Sequence, residues 1–259
     1  MERNDENTAL DAIYQATTVG ELRAELKRVG DPARRDFNAG LVPTKPADAF
    51  LGIRIPTLRQ IAQHLWHHDR PLADAFLADL PHRYVEEDLL HMLLLNQLRE
   101  ADEYAAALEC FLPYITNWMV SDAAGPKFTT EQLGRLEPYL QTWLADPHTY
   151  TSRVGGVLLM GNYLRDLFRP EHLQWIARIP SQDYYIHMLQ GWYLATALAT
   201  QPDTIWPVLR DPVAAGVPLT VEAQLKAIQK SIESRRISDD DKIELRALRA
   251  TLRGKLRAS

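Results

Sequence analysis

The sequence predicts an all-α protein built from helix pairs stacked one on the next, and three observations carry that prediction. Nearly every segment longer than about ten residues spaces its apolar side chains three and four apart, which puts them on one face of a helix. No segment sustains the every-second-residue alternation, enriched in β-branched residues, of a half-buried strand. Prolines fall between the apolar-periodic runs, where they end one helix or suit the first turn of the next.

Taken in order, helices are expected over roughly 8–16 and 19–29, closed by Asp31-Pro32. Residues 57–67 and 71–79 follow, separated by Arg70-Pro71, and Leu80-Pro81 precedes a helix over 83–99. Further periodic runs cover 101–114, 117–125 and 130–144 before Asp146-Pro147, then 150–167 before Arg169-Pro170. Residues 171–178 end at Ile179-Pro180, 182–200 at Gln201-Pro202, and 203–210 and 219–234 come next. The last run, 239–256, opens with Ser238 as an N-cap and Asp239, Asp240 and Asp241 in the positive first turn.

Helix pairs that recur every 35–45 residues or so with short loops indicate a HEAT-like α-solenoid rather than a four-helix bundle. No pair buries its apolar face alone, so neighbours stack, and a small rotation per pair makes a concave binding face. The expected organisation is a single domain over 1–259, with N-terminal helices in 1–36, an ordered crossing loop over 37–56 and a repeat array over 57–259.

Composition narrows the function classes. Hydrophobic residues make up 46% and charged residues 24%, enough for a sizeable core and too apolar for a disordered chain. The polar, acidic start MERNDENTALDA is unlike a signal peptide and no apolar stretch reaches membrane-spanning length, so a cytoplasmic protein without a membrane partner is expected. Cys110 is the only cysteine, which excludes an internal disulfide, a thiolate metal cluster and a redox pair. Net charge is −5, against nucleic acid in general, but Thr220–Ser259 holds 10 Lys+Arg against 6 Asp+Glu while the remainder carries a balance of −9. A polyanion site must therefore be a local patch.

Several stretches resemble the AlkD-like family of DNA alkylation-repair glycosylases: GIRIPTLRQIA at 52–62, NWMVSDAAG at 117–125, TSRVGGVLLMGNYL at 151–164, DYYIHMLQGWYLATAL at 183–198 and KAIQKSIESRRIS at 226–238. The resemblance implies a superhelix of HEAT-like pairs that holds duplex DNA and removes cationic alkylated purines such as 3-methyladenine and 7-methylguanine, without a metal, a cofactor or base flipping. It implies duplex DNA with alkylated bases as the partner, and a monomer is expected. Trp118, Asp122, Arg153 and Trp192 fill the four positions of the family's functional residues. The run Asn117-Trp118-Met119-Val120-Ser121-Asp122 lacks the tryptophan-rich stretch and second acidic residue of typical active members, which is similar to a sub-branch.

The chemistry suits those residues. Trp118 and Asp122, four apart, project from one helix face. An ordinary glycosidic bond calls for two carboxylates, one protonating the leaving group. An N3- or N7-alkylated purine is already cationic, so one carboxylate, Asp122, suffices to stabilise the oxocarbenium-like sugar and orient water. Trp118 and Trp192 would face the cationic transition state and the sugar-phosphate, and Arg153 would take a phosphate in a bidentate fork. Each residue also has a plainer reading: the tryptophans as packing, Asp122 as a local cap, Arg153 as half of an ion pair. Trp66, Trp143, Trp175 and Trp206 are read as packing.

Lys226, Lys230, Arg235 and Arg236 are expected to contact DNA phosphates, with a solvated basic face as the alternative; Arg54 and Arg59 are weaker candidates. His64, His67 and His68 include an i,i+4 pair but lack the glutamate and further ligands of a metal site, so none is expected. Glu86, Glu87 and Asp88 read as an acidic helix start, and Gly155, Gly156 and Gly161 as sites of close helix packing rather than a phosphate loop. Ser121 and Cys110 lack the surroundings of a nucleophile. Three functions fit: a DNA alkylpurine glycosylase, a non-catalytic scaffold for distorted or branched DNA, and a protein-interaction solenoid.

Overall fold

A computed structural model describes residues 10–181 and 183–258, and among them the chain is helical with no strand. Residues 8–9 of the expected first helix, and Gln182 at the start of the expected 182–200 helix, lie outside the described residues. After a first helical stretch at residues 10–14 (α1) come α2 (Val19–Arg28), α3 (Pro32–Leu41), α4 (Ile55–His68), α5 (Arg70–Ala78), α6 (Val85–Leu95), α7 (Ala101–Phe111) and α8 (Trp118–Ser121). Then follow α9 (Thr130–Leu144), α10 (Thr149–Asn162), α11 (Glu171–Ala177), α12 (Tyr184–Leu198), α13 (Pro202–Arg210), α14 (Val221–Glu233) and α15 (Asp239–Ala258). Among the described residues no helix is long and apolar enough to cross a membrane.

Side-chain caps set many of the starts. Thr18, Asp31, Asp69, Asn117, Asp183 and Thr220 each accept a backbone N–H of the first turn of α2, α3, α5, α8, α12 and α14. At α15 the expected cap is present, with Asp241 N–H donating to Ser238 Oγ at 3.1 Å.

The chain divides into two compact units between Arg135 and Leu136, inside α9. Within the first, α4 packs on α6 and α6 on α8, with α5 and α7 against α6. Within the second, α10 packs on α12 and α12 on α14, with α13 against both of the latter and α15 on α14. Every second helix therefore stacks on the next, which is how repeated helix pairs bury their apolar faces. Two successive pairs in the second unit repeat one device: Gln190 donates to the carbonyl of Ile176 at 2.9 Å and Gln224 to that of Leu209 at 2.7 Å, each tying a long helix to the end of the shorter one before it.

The first unit's centre is α6, buried at every residue, so it has no solvent stripe to balance its apolar face. Its acidic start is more than a dipole contact. Glu86, fully buried, accepts the N–H groups of Leu51 and Gly52 at 2.8 Å each, and Glu87 accepts those of Arg83 and Tyr84 at 2.9 and 3.1 Å. Gly52 has φ of 86°, and a Cβ there would lie 2.1 Å from the Asp31 carbonyl oxygen, so only glycine lets this strand of backbone cross the start of α3.

The expected crossing loop over 37–56 needs correction, because its first residues belong to α3 and a 3-10 turn follows at Ala47–Ala49. The start of α3 was marked by Asp31-Pro32, whose aspartate caps Ala33 and Arg34 and whose proline needs no helix partner. The expected 117–125 helix shortens to four residues because Asn96 captures the turn after it, donating to the Ala123 carbonyl at 2.7 Å and accepting from Gly125 N–H at 2.9 Å.

Candidate functional site

In the first unit the site candidates lie on α8 and the turn that ends it. Asn117 starts the helix by accepting the Val120 N–H, and Asp122 ends it with its own N–H bonded to the Trp118 carbonyl at 3.0 Å. That bond closes one full turn, so Trp118 and Asp122 stand one turn apart as their spacing requires. The Trp118 indole N–H donates to the Leu41 carbonyl at 3.2 Å, which anchors the ring edge and satisfies an end of α3. Asp122 is partly exposed, and its carboxylate accepts from the Ser121 hydroxyl at 3.3 Å. Ser121 is buried and serves the turn, its one hydroxyl proton shared between the Asp122 carboxylate and the Trp118 carbonyl.

In the second unit, Arg153, Trp192 and the two lysines sit on α10, α12 and α14, three consecutive members of one stacked row. Glycines decide how closely these helices approach. A Cβ on Gly156 would come within 2.5 Å of Leu189, and one on Gly191 within 2.6 Å of the Lys226 Cβ, while Gly155 lies against Leu144. Gly155 and Gly156 are thus packing residues; Gly161 meets nothing and faces a cleft instead.

That cleft has a volume of about 640 Å³. Trp192, 40% exposed, lines it together with Lys230, Arg236 and Arg165. Its carboxylate is Glu233, 3.5 Å from the Lys230 ammonium and held by a 2.7 Å bond from Gln229 that keeps its pKa low. Trp192, Lys230 and Arg236, separated by up to 44 positions in the sequence, are therefore brought together. Arg165 was not among the sequence candidates, although it stands one residue past the 151–164 motif.

The remaining candidates are placed differently. Lys226 lies outside the cleft, with its ammonium 4.7 Å from the centre of the exposed Tyr184 ring, a cation–π pair on the surface. Arg235 is exposed in the turn between α14 and α15. Arg153 is only 5% exposed, and its Nη1 donates to the Tyr185 carbonyl at 2.6 Å in the first turn of α12.

Of the tryptophans read as packing, Trp143 is buried. Trp66, Trp175 and Trp206 instead carry Arg70, Arg169 and Arg210 over their rings at 3.7, 5.9 and 4.8 Å. His64 stacks on Tyr14 with ring centres 3.8 Å apart. Among the described residues no group of three or more His, Cys, Asp or Glu side chains is arranged to hold a metal ion.

Residues 22–214 match the family model described as DNA alkylation repair enzyme. No curated protein matches the chain.

Proposed function

Because the chain belongs to the DNA alkylation repair enzyme family, we propose that it is a metal-independent DNA glycosylase, binding duplex DNA and hydrolysing the N-glycosidic bond of cationic alkylated purines such as 3-methyladenine and 7-methylguanine. The observation that carries this reading beyond the family is the second unit's cleft, where a 40% exposed indole is rimmed by Arg165, Lys230 and Arg236. Aromatic faces with surrounding cations are what a sugar-phosphate backbone requires, one for the sugar and base faces and the other for the phosphates.

The chemistry is assigned to Asp122. Departure of the neutral alkylpurine breaks the C1′–N bond and leaves positive charge on the sugar. The Asp122 carboxylate stabilises that charge, and it accepts the proton of the water whose oxygen adds to C1′. Ser121, bonded to the carboxylate, orients it. Trp118 is held by its bond to Leu41 and presents its π system to cationic character developing nearby. Lys226 and Arg235 add phosphate contacts.

Release of 7-methylguanine and 3-methyladenine from alkylated duplex tests the reading. Asp122→Asn is expected to lower excision at least 100-fold or so, the size of effect of losing one preorganised electrostatic group, while duplex affinity stays within about threefold. Wild-type protein that binds duplex in a salt-sensitive way and releases nothing would instead be a DNA-binding scaffold. Arg153, enclosed and bonded to the Tyr185 carbonyl, offers little surface to a phosphate, so in either reading the phosphate contacts fall to Arg165, Lys230 and Arg236.

A further inference from the structure

The last helix, α15, begins after the matched stretch of 22–214 has ended, and it carries its own charge pattern. All four of its acidic residues, Asp239, Asp240, Asp241 and Glu244, fall in its first two turns. From Arg246 onward there are four arginines and no acid. Arg246, Arg249, Arg253 and Arg257 are spaced three, four and four apart, so at about 100° per residue they fall within an arc of roughly 80°. At about 1.5 Å per residue they extend over roughly 16 Å along the helix.

This face is a trough rather than a ridge. The four arginines line a hollow of about 320 Å³ whose floor is Ala250 and Gly254. A Cβ on Gly254 would meet nothing within 4 Å, so helix packing does not explain the glycine, which costs a helix interior about 1 kcal/mol relative to alanine. A small floor between long cations suits a ligand backbone that comes close.

The arginines are also uncompensated. Among the described residues no carboxylate lies within ion-pair distance of Arg246, Arg253 or Arg257, all exposed. Arg249 donates to Gln229, which in turn holds Glu233 on the wall of the Trp192 cleft. Through Gln229, the second arginine of the row is thus joined to the wall of that cleft, in the same unit.

We propose that the arginine face of α15 is a second phosphate-binding surface, which tracks the backbone of duplex DNA and prolongs the grip of the Trp192 cleft. Duplex DNA presents phosphates closely and regularly along a strand, which matches a row of repeated forks better than a single anion does. The inference rests on the reading that the protein acts on duplex DNA, but it does not depend on excision.

The test uses the full chain, wild type against R246A/R253A/R257A and the charge-preserving R246K/R253K/R257K, binding undamaged duplex over a series of salt concentrations. The alanine variant is expected to flatten the plot of log affinity against log salt by about 2–3, and the lysine variant to keep most of the slope. An alanine variant with the wild-type slope overturns the proposal, as does wild-type protein with no duplex binding. Wild-type binding of polyglutamate that the alanine variant loses, with the DNA slope unmoved, assigns the face to an acidic protein and overturns it too. Excision of 7-methylguanine by the same proteins keeps the two readings apart: an unmoved slope with excision intact sinks the α15 surface alone, while a flattened slope with no excision by wild type sinks the glycosylase alone.

Discussion

In the first unit, the central helix α6 carries Glu86, Glu87, Asp88 and His91, none more than 8% exposed, whereas in the second unit the central helix α12 leaves Trp192 40% exposed in a cleft with Lys230, Arg236 and Arg165. The two units stack alternate helices in the same way, so the fold does not account for the contrast. On α6 the ionisable groups turn inward, Glu86 and Glu87 holding the backbone beside them, whereas the cleft beside α12 presents its charges where a ligand can reach them. Buried charge of the first kind is tolerated where a carboxylate finds donors: two backbone N–H groups for Glu86, and two more for Glu87, which also lies 3.3 Å from the Arg23 guanidinium. Exposed charge of the second kind contributes little to stability and is available for binding.

The sharpest break of this contrast would come from Glu86→Ala, which leaves the Leu51 and Gly52 N–H groups without their acceptor. At about 1–3 kcal/mol per buried unsatisfied donor, a loss of roughly 3 kcal/mol is expected in denaturant unfolding. A loss under about 1 kcal/mol would mean that the carboxylate is not scaffolding.

A pH profile sharpens it next. Burial pushes the Asp88 carboxyl up to about 8, with Glu87 adding to the effect and Lys45 opposing it. Burial also pushes His82 down to about 4 and His91 to about 3, helped by Arg23 and His82 respectively and opposed at His82 by Asp79. An acid with a raised folded pKa keeps its proton in the native state after the unfolded chain has lost it, so its contribution falls as pH rises from about 4 to 8. The histidines do the reverse, and their contribution is lost as pH falls from 6.5 toward 4. With two histidines against one aspartate, stability should rise to a maximum near pH 6.5 and then fall by about 1 kcal/mol by pH 8. Amide hydrogen exchange in α6 reads this locally, and Asp88→Asn should remove the alkaline decline. A flat profile in α6 between pH 6.5 and 8 would contradict the assignment.

Trp192→Ala should act on the other side of the contrast. Its exposed ring predicts unfolding stability within about 0.5 kcal/mol of wild type and a duplex affinity lowered about tenfold, the low end of what base–aromatic stacking contributes. Unchanged affinity would remove the cleft from the DNA surface. The smallest effect belongs to Glu233→Gln, which takes the acid from the wall of the cleft. Duplex affinity should rise by about two- to threefold, since an exposed pair with Lys230 has little strength to lose.

Parts of this arrangement were readable in advance and parts were not. The Trp118–Asp122 spacing was legible because a single backbone bond fixes it, from Asp122 N–H to the Trp118 carbonyl. The role of Gly156 was legible as close packing, though not its partner Leu189. Helix α3 was missed because its boundary signal, Asp31-Pro32, reads equally as an end and as a beginning. Arg165 was missed because nothing local distinguishes it; its meaning comes from Trp192 and Lys230 on helices that follow later in the chain.

What the sequence determined by itself is the part governed by short range: the all-α fold, the helix starts at Thr18, Asp183, Thr220 and Ser238, and the angular grouping of the arginines on α15. These follow from the helix period and from bonds between residues two to four apart. Tertiary structure alone decided that Arg153 is enclosed and bonded to Tyr185, that Glu86 holds a loop 35 residues away, and that Trp192, Arg165, Lys230 and Arg236 share one cleft. Periodicity gives each helix a face, but which neighbour covers that face, and so which charges remain in water, depends on how the helices pack.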